Sequence, residues 1–169
     1  MYRTDRLYLR PGRREDAPAL CPAIADLDIV RNLSSAPWPY SFADAEALAS
    51  REFNAKEPRH FILRNDTSPE ELLGVAGLDR MPSGEMELGY WIAKEHWNRG
   101  YAFEAGVQMI EIARTELGVT RLVAGYFVDN PASGRVLDKL GFIPASGLVN
   151  RNSRARGGVA PCQMCTLDL

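Results

Sequence analysis

The stretch His96–Gly106, HWNRGYAFEAG, carries one early glycine, Gly100, between an apolar run (88–93, LGYWIA) and a run of helical spacing (107–118, VQMIEIARTELG). Where a strand gives way to a helix, the first helical N–H groups lack intrahelical acceptors and carry the positive end of the dipole. Such a turn suits an anion: Gly100 lets the backbone come close, and Arg99 adds a fixed positive charge. A glycine that only relaxes a tight loop would read the same way. The turn is not a nucleotide loop of the usual kinds. There is no G-x-x-x-x-G-K-[ST], and no G-x-G-x-x-G follows the strand.

Other reactive residue types point to less. Cys162-Gln-Met-Cys165 spells C-x-x-C, but on a terminal strand residues three apart face opposite sides. No second ligand pair accompanies it, and His60 and His96 are remote in sequence, so no metal is expected. Two buried or edge thiols is the plainer expectation. With no G-x-S-x-G elbow, a Ser-His-Asp centre is not indicated either.

The elements that must position the turn are readable in outline. RLYLR (6–10) alternates as a strand, and Ala17, Leu20, Ile24, Leu27 and Val30 follow helical spacing from about Arg14 to Asn32. SSAPWPYS (34–41) is a loop whose prolines break any helix and present Trp38 and Tyr40. Ser41 and Asp44 resemble a capping box that opens a helix to about Ala55. RHFILR (59–64), LLGVAGLD (72–79) and EMELGYWIA (85–93) are strand-like, with short turn-rich connections that predict an antiparallel meander. A helix over about Gly100–Leu117 is closed by Gly118, and RLVAGYFV (121–128) is a strand. Asn130-Pro131 reads as N-cap and first helical residue of a helix ending at Gly141, before FIPASGLV and a final strand.

The predicted order is β-α-α-β-β-β-α-β-α-β-β, an α/β domain spanning 1–169, with a central mixed sheet and helices on both faces. The helix after Gly100 links two strands that can lie parallel. The 169 residues suit one domain with a substantial core, and 46% hydrophobic with 25% charged residues is a globular composition. A formal charge of -2 argues against a general nucleic-acid binder. No membrane span or apolar leader is visible, and three cysteines make a reducing cytoplasm the expected compartment.

ELGYWIAKEHWNRGYAFEA followed by RLVAGYFVDNPASGRVLDKLGF resembles the acyl-CoA-binding core of the GNAT superfamily of N-acetyltransferases. TDRLYLRPGRREDAPAL and the PWPYSFADAEA loop are similar to the branch containing the Rim-type ribosomal-protein N-terminal acetyltransferases. The likeness spans almost the whole chain, and it implies a GNAT fold, acetyl-CoA as acyl donor and an amine acceptor. By the same resemblance, the strand at Trp91, Ile92 and Ala93 would pair its backbone with the pantetheine amides. Arg99, Gly100, Tyr101 and Ala102 would hold the pyrophosphate, and Asn130 would reach the pantetheine arm. The family usually has Gln or Arg three residues before the glycine, where this chain has Trp97. Many members carry a tyrosine seven residues after the asparagine as general acid, where this chain has Leu137. Ser133 is the substitute that the branch suggests, unless it is only a surface serine.

An ammonium cannot attack a thioester, so the reaction needs a base, directly or through water. In EMELGYWI, alternation puts Met86, Leu88, Tyr90 and Ile92 on one face and Glu87 with Trp91 on the other. Glu87 beside a tryptophan is the leading base, with Glu85 or a water chain as alternatives and a solvated carboxylate as the plain reading. Trp38 and Tyr40 either wall the acceptor site or anchor their loop to the core. Arg151, Arg154 and Arg156, in a loop between the last two strands (150–158), either attract an acidic acceptor or are solvated. Arg135 and Lys139 either meet the CoA phosphates or solvate their helix. The expected acceptor is a protein or peptide N-terminus. The alternatives are a small amine such as an amino acid, polyamine or drug, or a sensor that binds acyl-CoA without turnover. Oligomeric state is not readable, and a homodimer is admitted.

Overall fold

The computed structural model describes residues 1–67 and 70–169. In chain order the elements are β1 (Tyr2–Arg3), β2 (Leu7–Arg10), α1 (Ala17–Ile24), α2 (Leu27–Val30), α3 (Phe42–Ala49), β3 (Arg59–Arg64), β4 (Leu72–Arg80) and β5 (Met86–Ile92). There follow α4 (Tyr101–Thr115), β6 (Arg121–Phe127), α5 (Pro131–Lys139), β7 (Ile143–Pro144), β8 (Val149–Ser153) and β9 (Gly158–Asp168). Among the described residues the strands form one sheet in the order β1-β2-β3-β4-β5-β6-β9-β7, with β8 also on β9. The β3-β4-β5 meander is antiparallel, as expected, and β5 with β6 is the parallel pair that α4 connects.

Each face of the sheet carries its own core. Met86, Leu88 and Ile92 of β5 pack with Met109 and Ile112 of α4 and Leu137 of α5. On the other face Trp91, Val75 and Phe61 pack with Leu20 and Ile24 of α1 and with Ala45 of α3. The alternation read along β5 is therefore the division between the two cores. It fixes which side chains can reach the cleft from which side.

Several expected boundaries are corrected. The helix expected over Arg14–Asn32 is broken into a short 3-10 turn (Arg14–Asp16), α1 and α2. Asp26 ends the continuity: its backbone is extended and its carboxylate accepts from the Asp28 N–H, capping α2 as a new helix. The helix opened by the Ser41–Asp44 capping box stops at Ala49 rather than near Ala55. The short strand β1 was not expected, and it pairs with β2, which the alternating pattern did predict. The strand expected within FIPASGLV (142–149) is cut down to β7, paired with β9. The loop expected over 150–158 shrinks to the turn after Ser153, because Arg151 lies in β8 opposite Ala160 of β9.

Candidate active site

The parallel pair is brief. β5 and β6 are in register only at Met86↔Leu122 and Glu87↔Val123, although β5 runs on to Ile92 and β6 to Phe127. Beyond Glu87 the two strands part, and a cleft of about 720 Å³ opens between them, within the size range of ligand sites. Its walls include Tyr90 and Ile92 from β5, Tyr126 and Phe127 from β6, Gly100 and Ala102 from the turn into α4, and Asn130 and Ser133 from α5.

The turn is built as the sequence suggests. Gly100 is the N-cap of α4 with φ of 80°, a left-handed conformation that side-chain-bearing residues adopt at a cost. The first helical bond runs from the Glu104 N–H to the Gly100 carbonyl at 3.1 Å, so the N–H groups of Tyr101, Ala102 and Phe103 have no acceptor within the helix. Arg99 has an exposed residue surface, and its carbonyl accepts from Arg6 Nη1 at 2.9 Å.

What holds this turn is a strap that sequence reading missed. Glu104 Oε1 accepts from Thr4 Oγ1 at 2.5 Å and from the Arg6 N–H at 2.9 Å, while Oε2 accepts from Arg6 Nε at 2.7 Å. The Arg6 guanidinium also lies 4.8 Å from the centre of the Tyr101 ring. Burial works against the Glu104 carboxylate, but the hydrogen bonds from Thr4 and Arg6 outweigh it and hold its pKa below the usual range. The strap joins residues about a hundred positions apart, and nothing in the spacing of either segment announces the pairing.

The backbone expected to face the cleft needs a correction. The Ala93 N–H donates to the Leu73 carbonyl at 2.8 Å, so Ala93 is committed to β4. Alternate residues of an antiparallel ladder turn their polar groups the same way, which gives Trp91 to β4 as well. Tyr90 and Ile92 are the residues of β5 whose backbone faces the gap, and Ile92 was in the expected set. Its carbonyl, however, accepts from Trp97 Nε1 at 2.7 Å. Trp97, at the position usual for Gln or Arg, thus bonds back to the strand.

Asn130 occupies the N-cap position of α5, yet its side chain makes no capping bond. Its carbonyl, not its amide, holds the Ser133 N–H at 3.2 Å. Ser133 lies on the cleft wall, with its Oγ 3.1 Å from the hydroxyl of Tyr90. Burial pushes the Tyr90 phenol up to about 12, with the Ser133 hydrogen bond acting in the opposite direction. The sequence placed Tyr90 only on the face of β5 opposite Glu87, and nothing in its spacing foretold this bond. Leu137 is buried in the core beside α4 and also reaches the cleft wall, so that position offers no hydroxyl to the site.

On the opposite side of β5, Glu87 faces the cleft as expected, but its neighbour is Arg151. The guanidinium pairs with both carboxylate oxygens, one through Nη1 to Oε1 and one through Nη2 to Oε2 at 3.0 Å. Glu87 is directly across the ladder from Asp79, and Arg59 Nη2 reaches both Asp79 oxygens at 2.7 and 2.9 Å. A row Arg59–Asp79–Glu87–Arg151 therefore crosses the floor of the cleft. Glu85 accepts from Ser83 Oγ in the exposed turn before β5 and stands outside the cleft wall.

The remaining expected residues divide. Tyr40 lines the cleft, and burial raises its phenol to about 12, with Asp44 adding to the effect. Trp38 is 45% exposed and does not line it, which corrects its expected place. Arg135, Lys139 and Arg154 line the cleft, whereas Arg156 is turned to Asp129 at 2.8 Å. Cys162 lines the cleft, while Cys165 packs in the core beside α4; both thiols are free and buried. Among the described residues no group of three His, Cys, Asp or Glu could hold a metal ion, and no helix is long and apolar enough to cross a membrane. His96 is buried in the cleft wall, and neither ring nitrogen makes a hydrogen bond among the described residues.

Comparison with known proteins gives this geometry relatives. The acetyltransferase (GNAT) domain model matches residues 6–143. The Bacillus subtilis protein YoaA, an uncharacterized N-acetyltransferase, is 33% identical over 146 residues, covering 82% of this chain and 80% of its own. The Escherichia coli [ribosomal protein uS5]-alanine N-acetyltransferase is 29% identical over 151 residues, covering 82% and 76%. Spermidine N-acetyltransferase from Vibrio cholerae, solved with CoA and spermine, superposes with a TM-score of 0.76 at 19% identity, covering 98% and 96%. At that identity the last likeness concerns the fold.

Proposed function

The chain belongs to the GNAT acetyltransferase family, and from that premise we propose that it moves an acetyl group from acetyl-CoA to a protein or peptide N-terminal amine by direct attack in a ternary complex. The observation that carries this reading is the parting of β5 from β6 just beyond Glu87, with the Gly100 turn on the wall of the gap. A pantetheine arm laid in the gap meets the backbone of Tyr90 and Ile92, and the unpaired amides of Tyr101 and Ala102 receive the pyrophosphate. The Asn130 side chain, with no capping bond to keep it, is available to the arm.

The chemistry then falls to a few side chains. A carboxylate has about four lone-pair sites, so Glu87 can accept from the incoming amine or an ordering water while two sites stay with Arg151. We assign it the receipt of the amine proton. Backbone N–H groups in the gap polarise the thioester carbonyl. The hydroxyl of Ser133 hydrogen-bonds the departing sulfur. Its protein partner, Tyr90, is the weaker acid in this pair of phenol and thiol, so the assistance is a hydrogen bond rather than full proton transfer.

For the acceptor, the charge on the cleft walls favours a peptide over a polyamine. The lining carboxylates Asp28, Asp44, Asp79 and Glu87 already hold Lys94, Ser41, Arg59 and Arg151 respectively. Lys94, Arg59 and Arg151 already balance the charge of three of them, so little net negative charge is left to hold a polycation. The relative that acetylates alanine of a ribosomal protein supports the same preference. We place the reaction in the cytoplasm, where acetyl-CoA and protein N-termini meet. Thiol release from acetyl-CoA across trialanine amide, L-phenylalanine and spermine tests the reading. Release with the peptide above that with spermine is the expected result. CoA binding without release for any amine would favour an acyl-CoA sensor instead.

A further inference from the structure

Four glycines have an evident reason to lack a side chain. At Gly74 a Cβ would run into the Trp91 carbonyl, and at Gly106 into the Leu140 side chain. At Gly125 it would meet Met164, Arg151 and Cys162, and at Gly134 the ring of Tyr126. Gly89 has no such reason. It lies in the middle of β5, its φ is not positive, and a Cβ built there meets nothing within 4 Å. It is also exposed, although its strand is interior to the sheet.

The register shows what this absence makes. Gly89 stands directly opposite Gly77 of β4, where a Cβ would find only ordinary contacts with Arg59 and Pro58 at 3.5 Å. The next pair on one side is Val75↔Trp91, and on the other Asp79↔Glu87, all on the same face by alternation. Two facing glycines thus leave a notch in the sheet floor, open at Gly89 and bordered by Arg59 and Pro58 at the buried Gly77, between an apolar pair and a carboxylate pair. All six residues line the cleft. The notch begins two residues past the point where β6 leaves β5, so it adjoins the gap assigned to the thioester. A glycine inside a strand weakens it, and often marks a site where a ligand or another backbone comes close.

We propose that the Gly77/Gly89 notch is the acceptor subsite, and that Gly89 sets what can enter. An acceptor chain crossing the sheet there takes the space of the two missing side chains and brings its amine beside Glu87. The chemical class that fits is a primary amine on an extended chain, since the floor is two residues wide and walled by Trp91 and the Arg59–Asp79 pair. This rests on the acetyl-transfer reading above, and it assigns to that reaction a residue with no reactive group.

The test is a graded series, Gly89→Ala, Gly89→Val and Gly89→Leu, with Gly77→Ala as an independent entry to the same space. Acceptor KM is measured with trialanine amide, L-phenylalanine and spermine, CoA affinity by calorimetry, and Tm by thermal unfolding. The expected result is an acceptor KM that climbs with side-chain size, about tenfold or more at Leu, as expected when added methylenes occupy a substrate pocket. CoA affinity should stay within about twofold, and Tm should hold or rise because glycine inside a strand weakens it. Unchanged KM across the series overturns the proposal. So does a loss of CoA affinity in step with side-chain size, which would put the notch on the donor side, and so does a fall in Tm, which would mean the space is not open. Failure of the native chain to release thiol with any of these amines overturns the transfer reading itself, and is seen before any variant is made.

Discussion

The hydroxyl of Tyr90 on β5 bridges to Ser133 in the first turn of α5, 3.1 Å from Oγ and 3.2 Å from the carbonyl oxygen. With its pKa pushed up to about 12, Tyr90 stays protonated through any ordinary assay range, and its one proton goes to the Ser133 carbonyl. Ser133 Oγ keeps its own proton, which it can turn from the phenol oxygen to the sulfur. Ser133→Ala is expected to lower kcat by about 100-fold, the lower end for a positioned acid–base group, with little change in CoA affinity. Tyr90→Phe should lower kcat by less, because Ser133 remains. Steady-state rates set beside calorimetric CoA titrations check both. Equal rates for native and Ser133→Ala would leave Ser133 a surface serine.

Asn130 and Glu87 should separate binding from turnover. Asn130→Ala removes a side chain with no capping role, so stability should hold while CoA binding weakens by roughly 1 kcal/mol, about fivefold. Glu87→Gln should leave CoA affinity nearly unchanged and depress turnover. A turnover that matches the native value from about pH 6 to about pH 9 would remove Glu87 as the base.

The Arg6–Glu104 strap offers a charge test of the turn. Arg6→Ala leaves the Glu104 carboxylate at the helix N-terminus without its cation, facing the place assigned to the pyrophosphate. CoA affinity is expected to fall about fivefold, and adding Glu104→Gln should recover most of that loss. Calorimetry on the two variants and the double substitution gives the coupling directly. Insensitivity of CoA binding to all three would separate the turn from the phosphates.

His60 makes the fold acid-sensitive above the range of carboxylates. It is 1% exposed, packed edge-on to Tyr2 and Phe53, and its Nδ1 has no hydrogen-bond partner among the described residues. Burial, with help from the positive N-terminus, lowers its pKa from 6.5 to about 4. The unfolded chain therefore binds this proton first as pH falls. Stability should be full above about pH 6.5, decline between about 6.5 and about 4, and lose nothing more from this group below that. The shift corresponds to about 3 kcal/mol. Urea unfolding at about pH 7.5 and about pH 5 should show the decline, and His60→Phe should flatten it. A native chain equally stable at both values would contradict this account.

What the sequence disclosed and what it withheld divide along physical lines. Local signals worked: the Ser41–Asp44 capping box, the positive-φ Gly100 turn and the alternation of β5 depend on neighbours within a few residues. The break at Asp26 was hidden because Ala17, Leu20, Ile24 and Val30 are buried on both sides of it, so the apolar period carries across. Backbone direction at Trp91 and Ala93 depends on register with β4, which no single-strand pattern contains. Arg151 was assigned to a loop, and its meeting with Glu87 joins residues 64 apart. Pairings of that range are decided by the folded sheet, and composition near either residue does not announce them.

The central claim is that acetyl passes from the thioester to an amine in one step, without resting on the protein. Native chain incubated with acetyl-CoA radiolabelled in the acetyl group, then chased with trialanine amide, follows that group directly. The account predicts label on the peptide's terminal nitrogen in step with thiol release, and none retained by the denatured protein before the chase. Label on the protein that the peptide then removes, or label that never leaves the thioester, would contradict it.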